Sequence, residues 1–175
     1  MSQPRKTFRA PAEGFSPLVS GLAVAGAIAA ITWSGARFSP APNHPRTLRW
    51  YLSLRKPAFT PPGAVFGLGW SLIEAGLAFG GYRLLRKPAT PWRNAAVGLW
   101  AVNNALIAGW SALFFGRKAL GASTLAAGGM IGAAGAYAAV ADRIDRPAAA
   151  SALPLIGWLG FATLLAEEVW RRNET

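Results

Sequence analysis

Side chains able to take part in chemistry are sparse in this 175-residue chain, and their placement narrows what it can do. There is no cysteine, which excludes thiolate catalysis, disulfides and cysteine metal sites. His44, the only histidine, lies in a proline-rich stretch with no second ligand at metal spacing, so it reads as a surface residue. Asp142, Arg143, Asp145 and Arg146 form a short charged turn that reads as solvated. Glu167 and Glu168 are adjacent and point to different sides of a helix. No nucleophile–base arrangement, phosphate loop or carboxylate pair is present, so no catalytic residue and no metal site are expected. The exception in placement is Glu74, in the middle of a long apolar run. Ionisable groups there are costly and face the bundle interior or a partner. Glu74 therefore either carries a proton or pairs with a cation from the loop that precedes its helix.

Around Glu74 the spacing of aromatic residues suggests a binding surface. Phe66, Trp70 and Glu74 follow one another at i, i+4 and share a helix face. Asn103 and Trp110 lie seven residues apart on the next apolar run, and Pro154, Trp158, Phe161 and Leu165 form a third face. Three such faces would line a cavity with aromatic walls and a few polar groups, suited to a flat, largely apolar ligand. The same spacing is met by a packed core, and spacing alone leaves both open.

The elements that must position these residues are membrane spans. The chain is 53% hydrophobic and only 14% charged, against about a quarter charged in ordinary soluble domains. Its net charge of +11 is split into short basic groups between apolar runs, which suits anionic lipid headgroups rather than a nucleic-acid face. A crossing helix needs about 20 mostly apolar residues. Five segments qualify, at about 15–33, 62–85, 94–115, 119–141 and 147–170. The first exceeds the about 7–15 apolar residues of a signal peptide and reads as a retained span. The expectation is an all-α, integral membrane five-helix bundle forming one domain over 15–175, behind a basic tail over 1–14. Lys and Arg divide nine to nine between the two sides, so the positive-inside rule assigns no orientation.

The first loop, roughly 34–61, is the long one, and long loops in compact folds are usually functional. Pro40, Pro42 and Pro45 argue against regular helix at its start, while 47–54 suits a short interfacial helix. Trp50, Tyr51, Arg55, Lys56 and Phe59 are residues of a membrane–water interface, and Pro61-Pro62 suits a helix start. A structured cap over one end of the bundle follows, which is where a lid would sit. Gly128-x-x-x-Gly132, Gly21-x-x-x-Ala25 and Ala25-x-x-x-Ala29 are small-residue stripes for close helix packing, within the bundle or against a partner.

The stretch Trp50-Tyr51-x-x-Leu54-x-Lys56-Pro57-x-Phe59-x-Pro61-Pro62 resembles the signature of the TspO/MBR family, the tryptophan-rich sensory proteins and translocator proteins. Val65-Phe66-x-x-x-Trp70, Trp110-Ser111-x-Leu113-Phe114-Phe115-Gly116 and Pro154-x-x-x-Trp158-x-x-Phe161-Ala162-Thr163-x-Leu165, ending in Trp170-Arg171-Arg172-Asn173, resemble its motifs in order. The resemblance implies a five-helix bundle of a bacterial membrane, often a homodimer, with a pocket under the first loop for a tetrapyrrole such as protoporphyrin or haem, or for a sterol-like or carotenoid ligand. It implies no obligatory cofactor, and it links such proteins to control of pigment synthesis. By the resemblance, Trp50, Tyr51, Phe66, Trp70, Glu74, Asn103, Trp110, Trp158 and Phe161 would line the pocket, with Tyr51, Lys56, Pro57, Phe59 and Pro61 as its lid. Ala64, Glu74, Ile107, Leu155 and Ala166 depart from the family pattern, removing polar or aromatic groups and adding a carboxyl. A pocket with fewer polar groups, or a structural subunit of a larger membrane complex, are the two readings this leaves.

Overall fold

Residues 13–174 are described by a computed structural model; the basic tail, with Arg5, Lys6 and Arg9, lies almost wholly outside them. The described residues form helices and no strand: α1 Pro17–Phe38, α2 Pro45–Ser53, α3 Gly63–Leu85, α4 Pro91–Ser111, α5 Leu120–Asp142, α6 Arg146–Ala150 and α7 Leu153–Asn173. A π-helical turn, Ala112–Gly116, extends α4. Among the described residues, five helical stretches are long and apolar enough to cross a membrane, the last comprising α6 and α7 together.

Proline and short polar caps explain where most of these helices begin. Pro17, Pro45, Pro91, Pro147 and Pro154 each occupy a first-turn position, where the missing N–H would have no partner in any case. Ser16, Thr90 and Asp145 accept a hydrogen bond from the first turn of α1, α4 and α6. Pro45 thus starts α2 rather than excluding helix, and the interfacial helix begins two residues earlier than position 47. The fifth apolar run is likewise broken at 151–152, because Pro154 cannot continue α6 and instead opens α7. α1 runs on to Phe38, which shortens the first loop from its near side.

Around the bundle, α1 packs on α3 and α4, α4 on α5, α5 on α7, and α7 closes onto α3. The core holds Ile73, Leu77, Leu84, Trp100, Ala134, Tyr137, Leu155 and their neighbours. Large apolar side chains such as Leu18, Leu22 and Leu125 point outward, the arrangement expected where lipid is the solvent. Gly81 permits a close approach of α3 to α4: a Cβ there would lie 2.5 Å from the Trp100 ring. Trp100 donates its indole N–H to the Leu77 carbonyl at 2.8 Å, so the indole is both packed and satisfied.

The two ends of the bundle differ. At one end, Phe15 N–H bonds to the Leu85 carbonyl, Arg93 donates to the carbonyls of Leu85 and Lys87, and Arg83 and Lys87 meet Asp145. Arg93, itself buried, satisfies carbonyls at the end of α3 that have no partner within that helix. The turn expected to be solvated therefore contains a buried carboxylate, Asp145. The opposite end carries α2, the π-helical turn and the tip of α7.

Candidate functional site

Beneath the first loop the aromatic side chains gather into one layer with two halves. In the first half, Trp110 stacks on Phe114 with centroids 4.9 Å apart and planes 16° from parallel. Trp50 meets Phe114 edge-on at 5.8 Å, and Tyr51 meets Phe115 at the same distance. In the second half, Trp158 meets Phe66 at 5.7 Å, Trp70 at 6.1 Å and Phe161 at 5.7 Å. Phe59, from the turn that follows Pro57, reaches Phe161 at 6.4 Å. Phe114, Leu165 and Val169 form a small buried core against which Trp50, Phe66, Trp110 and Phe161 all pack, joining the halves. Edge-on and offset arrangements are the favoured geometries for aromatic pairs.

Local backbone structure makes the layer. The π-helical turn holds Phe114 and Phe115 against the same aromatic group, although they are adjacent in sequence. Lys118 follows in the left-handed region (φ 56°), uncommon for a residue with a Cβ, and its ammonium lies 5.5 Å from the Trp50 ring centroid. Trp110 donates its indole N–H to the Ser123 carbonyl at 2.9 Å, fixing the stack against α5.

Most of the cap's side-chain hydrogen bonds lie within it. Lys56 turns its ammonium back onto the carbonyls of Leu54 (3.0 Å) and Leu52 (3.5 Å), at the C-terminal end of α2, and over the Tyr51 ring at 4.7 Å. Desolvation in this setting pulls the Lys56 ammonium below its ordinary pKa and pushes the Tyr51 phenol above its own. Pro57 is buried beneath the turn, whereas Phe59 is half-exposed and Pro61 lines an outer groove.

Two residues expected at the same surface lie apart from it. Asn103 is buried between α4 and α5 and donates to the carbonyls of Leu99 (2.9 Å) and Ala133 (3.2 Å). Its Oδ1 has no partner among the described residues. Glu74 turns toward α1 and accepts a hydrogen bond from the Thr32 hydroxyl at 3.3 Å, rather than pairing with a first-loop cation. At the departures from the family pattern, Ile107, Leu155 and Ala166 are all buried in apolar packing. Sequence spacing passes over Phe114, Phe115 and Asn173, all three of which are visible only as letters of motifs.

Between α3 and α7 a groove of about 530 Å³ opens on the outside of the bundle. Trp158 and Phe161 line it together with Gly69 and Pro154, so its wall is also part of the aromatic layer. A second, larger groove of about 760 Å³ runs along α1 past Gly21, Ala25, Ala29, Thr32 and Trp33.

The TspO/MBR family model matches residues 18–171. The translocator protein of Bos taurus is 33% identical over 131 residues, covering 72% of this chain and 76% of the relative. Protein CrtK of Rhodobacter capsulatus is 30% identical over 148 residues, covering 80% and 84%. The tryptophan-rich protein TspO of Chlorobaculum tepidum is 28% identical over 154 residues, covering 82% and 89%. With a family match that spans all five membrane-crossing segments and relatives aligned over most of their length, this integral membrane protein belongs to the TspO/MBR family.

Proposed function

We propose that the protein binds a flat, largely apolar ligand of the tetrapyrrole kind, or a comparable pigment or sterol-like lipid, beneath its cap. Its role is that of a sensor or translocator linked to pigment or porphyrin metabolism, without catalysis, in a bacterial membrane. The observation that carries this reading is the continuous aromatic layer contributed by the first loop, α3, the end of α4 and α7. Such a surface offers ring faces and edges to a flat π-system, and the groove of about 530 Å³ that shares Trp158 has the size of a small-molecule site. Trp50, Tyr51, Phe66, Trp70, Trp110, Trp158 and Phe161 are the contacts, with Lys56, Pro57, Phe59 and Pro61 as the lid. Glu74 and Asn103 act from outside the layer, as interhelical hydrogen-bonding groups.

Titration of the purified protein with protoporphyrin, followed by tryptophan fluorescence, tests the reading. Saturable quenching that weakens in Trp50→Ala and Trp158→Ala is expected; quenching that is absent, or indifferent to both substitutions, rejects it.

A second reading, a subunit docking into a larger membrane complex or onto a second copy, is favoured by the groove along α1. Its small residues leave room for another helix. Extraction in mild detergent followed by size separation distinguishes the two: a protein that always runs alone as a monomer excludes docking.

A further inference from the structure

We infer that Asn173, the last residue of α7, is a positioning residue that latches the cap over the aromatic layer. Its side-chain Oδ1 accepts the Arg55 N–H at 3.0 Å, and its Nδ2 donates to the Arg55 carbonyl at 3.0 Å. The same Nδ2 donates to the Val169 carbonyl one turn back at 2.7 Å, which fixes the side chain's direction. One amide thus grips both backbone groups of a single cap residue, a match that a carboxylate or a hydroxyl cannot reproduce in full because only the amide carries acceptor and NH₂ donors together.

The position of the grip gives it leverage. Arg55 sits between the end of α2 and the stretch 56–62, which turns at Ala58 and Phe59, so it lies where the cap changes direction. The Lys56 and Thr60 bonds stay within the cap, and His44 bonds to Ser39. Among the described residues, the two bonds to Asn173 are the only hydrogen bonds that join residues 40–62 to a distant helix. The remaining attachments are aromatic and cation–π contacts, which tolerate sliding far better than a paired hydrogen bond does. Loss of the latch should therefore free the cap without disturbing the spans. This inference rests on the reading of the cap as a lid over a binding surface.

The test uses full-length protein in lipid nanodiscs, with and without protoporphyrin. In Asn173→Ala, amide hydrogen exchange at Arg55 and its neighbours should rise about ten-fold, the effect of removing one to two exposed hydrogen bonds. Exchange within α3 and α5 should not change. Protoporphyrin association and dissociation should both accelerate severalfold, leaving affinity nearly constant, because a latch sets the rate of exchange rather than the contacts. Asn173→Asp keeps the acceptor for the Arg55 N–H and should fall between. The chain has no native cysteine, so an Arg55→Cys, Asn173→Cys pair can be oxidised selectively, and closing it should slow both rates. Unchanged exchange at residues 54–60 in Asn173→Ala, or faster exchange with ligand rates unaltered, overturns the inference. Should the wild type bind no protoporphyrin, the ligand reading fails, and the exchange measurement alone decides the latch.

Discussion

The indole of Trp158 rests against the bare backbone of Gly69. A Cβ on Gly69 would lie 2.7 Å from the ring's Cζ3, closer than real Cβ contacts allow, while the same ring meets Phe66 and Trp70 edge-on. Absence of a side chain at Gly69 is therefore what lets α3 and α7 share one indole, and with it what places the second half of the aromatic layer.

Gly69→Ala should displace that ring. Overpacking of this kind costs about 1–3 kcal/mol, and the gain in helix propensity offsets up to about 1 kcal/mol of it. The expected outcome is a small net loss of thermal stability in detergent, larger for Gly69→Val, with a shift in the Trp158 emission obtained by subtracting the spectrum of Trp158→Phe. An unshifted Trp158 spectrum in Gly69→Val would mean that the contact does not set the ring's position.

Trp110 combines two attachments that substitutions can separate. Trp110→Phe keeps an aromatic face for Phe114 but loses the 2.9 Å bond to the Ser123 carbonyl, a loss of about 1 kcal/mol. Trp110→Ala removes the stack as well and should cost about 3–5 kcal/mol, as large aromatic truncations do in cores. Equilibrium unfolding of the two variants checks the order; equal losses would show that the stack contributes nothing measurable.

Much of this arrangement was legible in the sequence, and the parts that were not have physical reasons. Apolar length located five spans, and interfacial residues located the cap. The i, i+4 series from Phe66 approximates one face, yet each such step turns about 40° further round a helix of 3.6 residues per turn. Two steps put Glu74 about 80° from Phe66, which is enough to face Thr32 on α1. Asn103 and Trp110 do share a face, but seven residues of rise separate them by about 10 Å, so only Trp110 reaches the cap's level. Phe114 and Phe115 turn to the same side through a π-helical turn, which leaves no periodic trace. The grip of Asn173 on Arg55 joins positions 118 apart, which no local pattern can announce.

The Glu74–Thr32 pair is open to a double-mutant cycle. Interhelical hydrogen bonds in membrane proteins average about 0.6 kcal/mol, because groups freed within the bilayer find other partners. Glu74→Gln, which keeps an acceptor for the Thr32 hydroxyl, should be close to neutral. Glu74→Ala and Thr32→Val should each destabilise, and the double variant should reveal a coupling near that average. Coupling of about zero would assign Glu74 no structural partner in Thr32.

Asp145 carries the clearest dependence on pH. Arg83 donates to both of its oxygens, at 2.7 and 2.9 Å, Lys87 lies 2.7 Å from Oδ2, and the Ala148 N–H donates to Oδ1 at 3.0 Å. The Arg83 guanidinium, acting against burial and aided by Lys87 and the Ala148 amide, holds this carboxyl well below the usual carboxylate range. With the folded pKa below the unfolded value of about 3.9, the unfolded chain takes up the proton first as pH falls. The pair's contribution is therefore fully present above about pH 5 and is lost as pH drops through the lower, folded value. Arg83 and Lys87 are partly solvated, so the contribution is that of a charged hydrogen bond, about 2 kcal/mol, rather than of a fully buried ion pair. Asp145→Asn should be less stable than the wild type by that amount between pH 5 and 8, with a constant gap. Below pH 4 the gap should narrow, since the unfolded wild-type chain then takes up a proton at Asp145 that the folded state does not, whereas Asn has no proton to gain. Chemical unfolding across pH 3–8 measures both curves, and a gap that persists undiminished at pH 3 would show that shape, not charge, is what Asp145 provides.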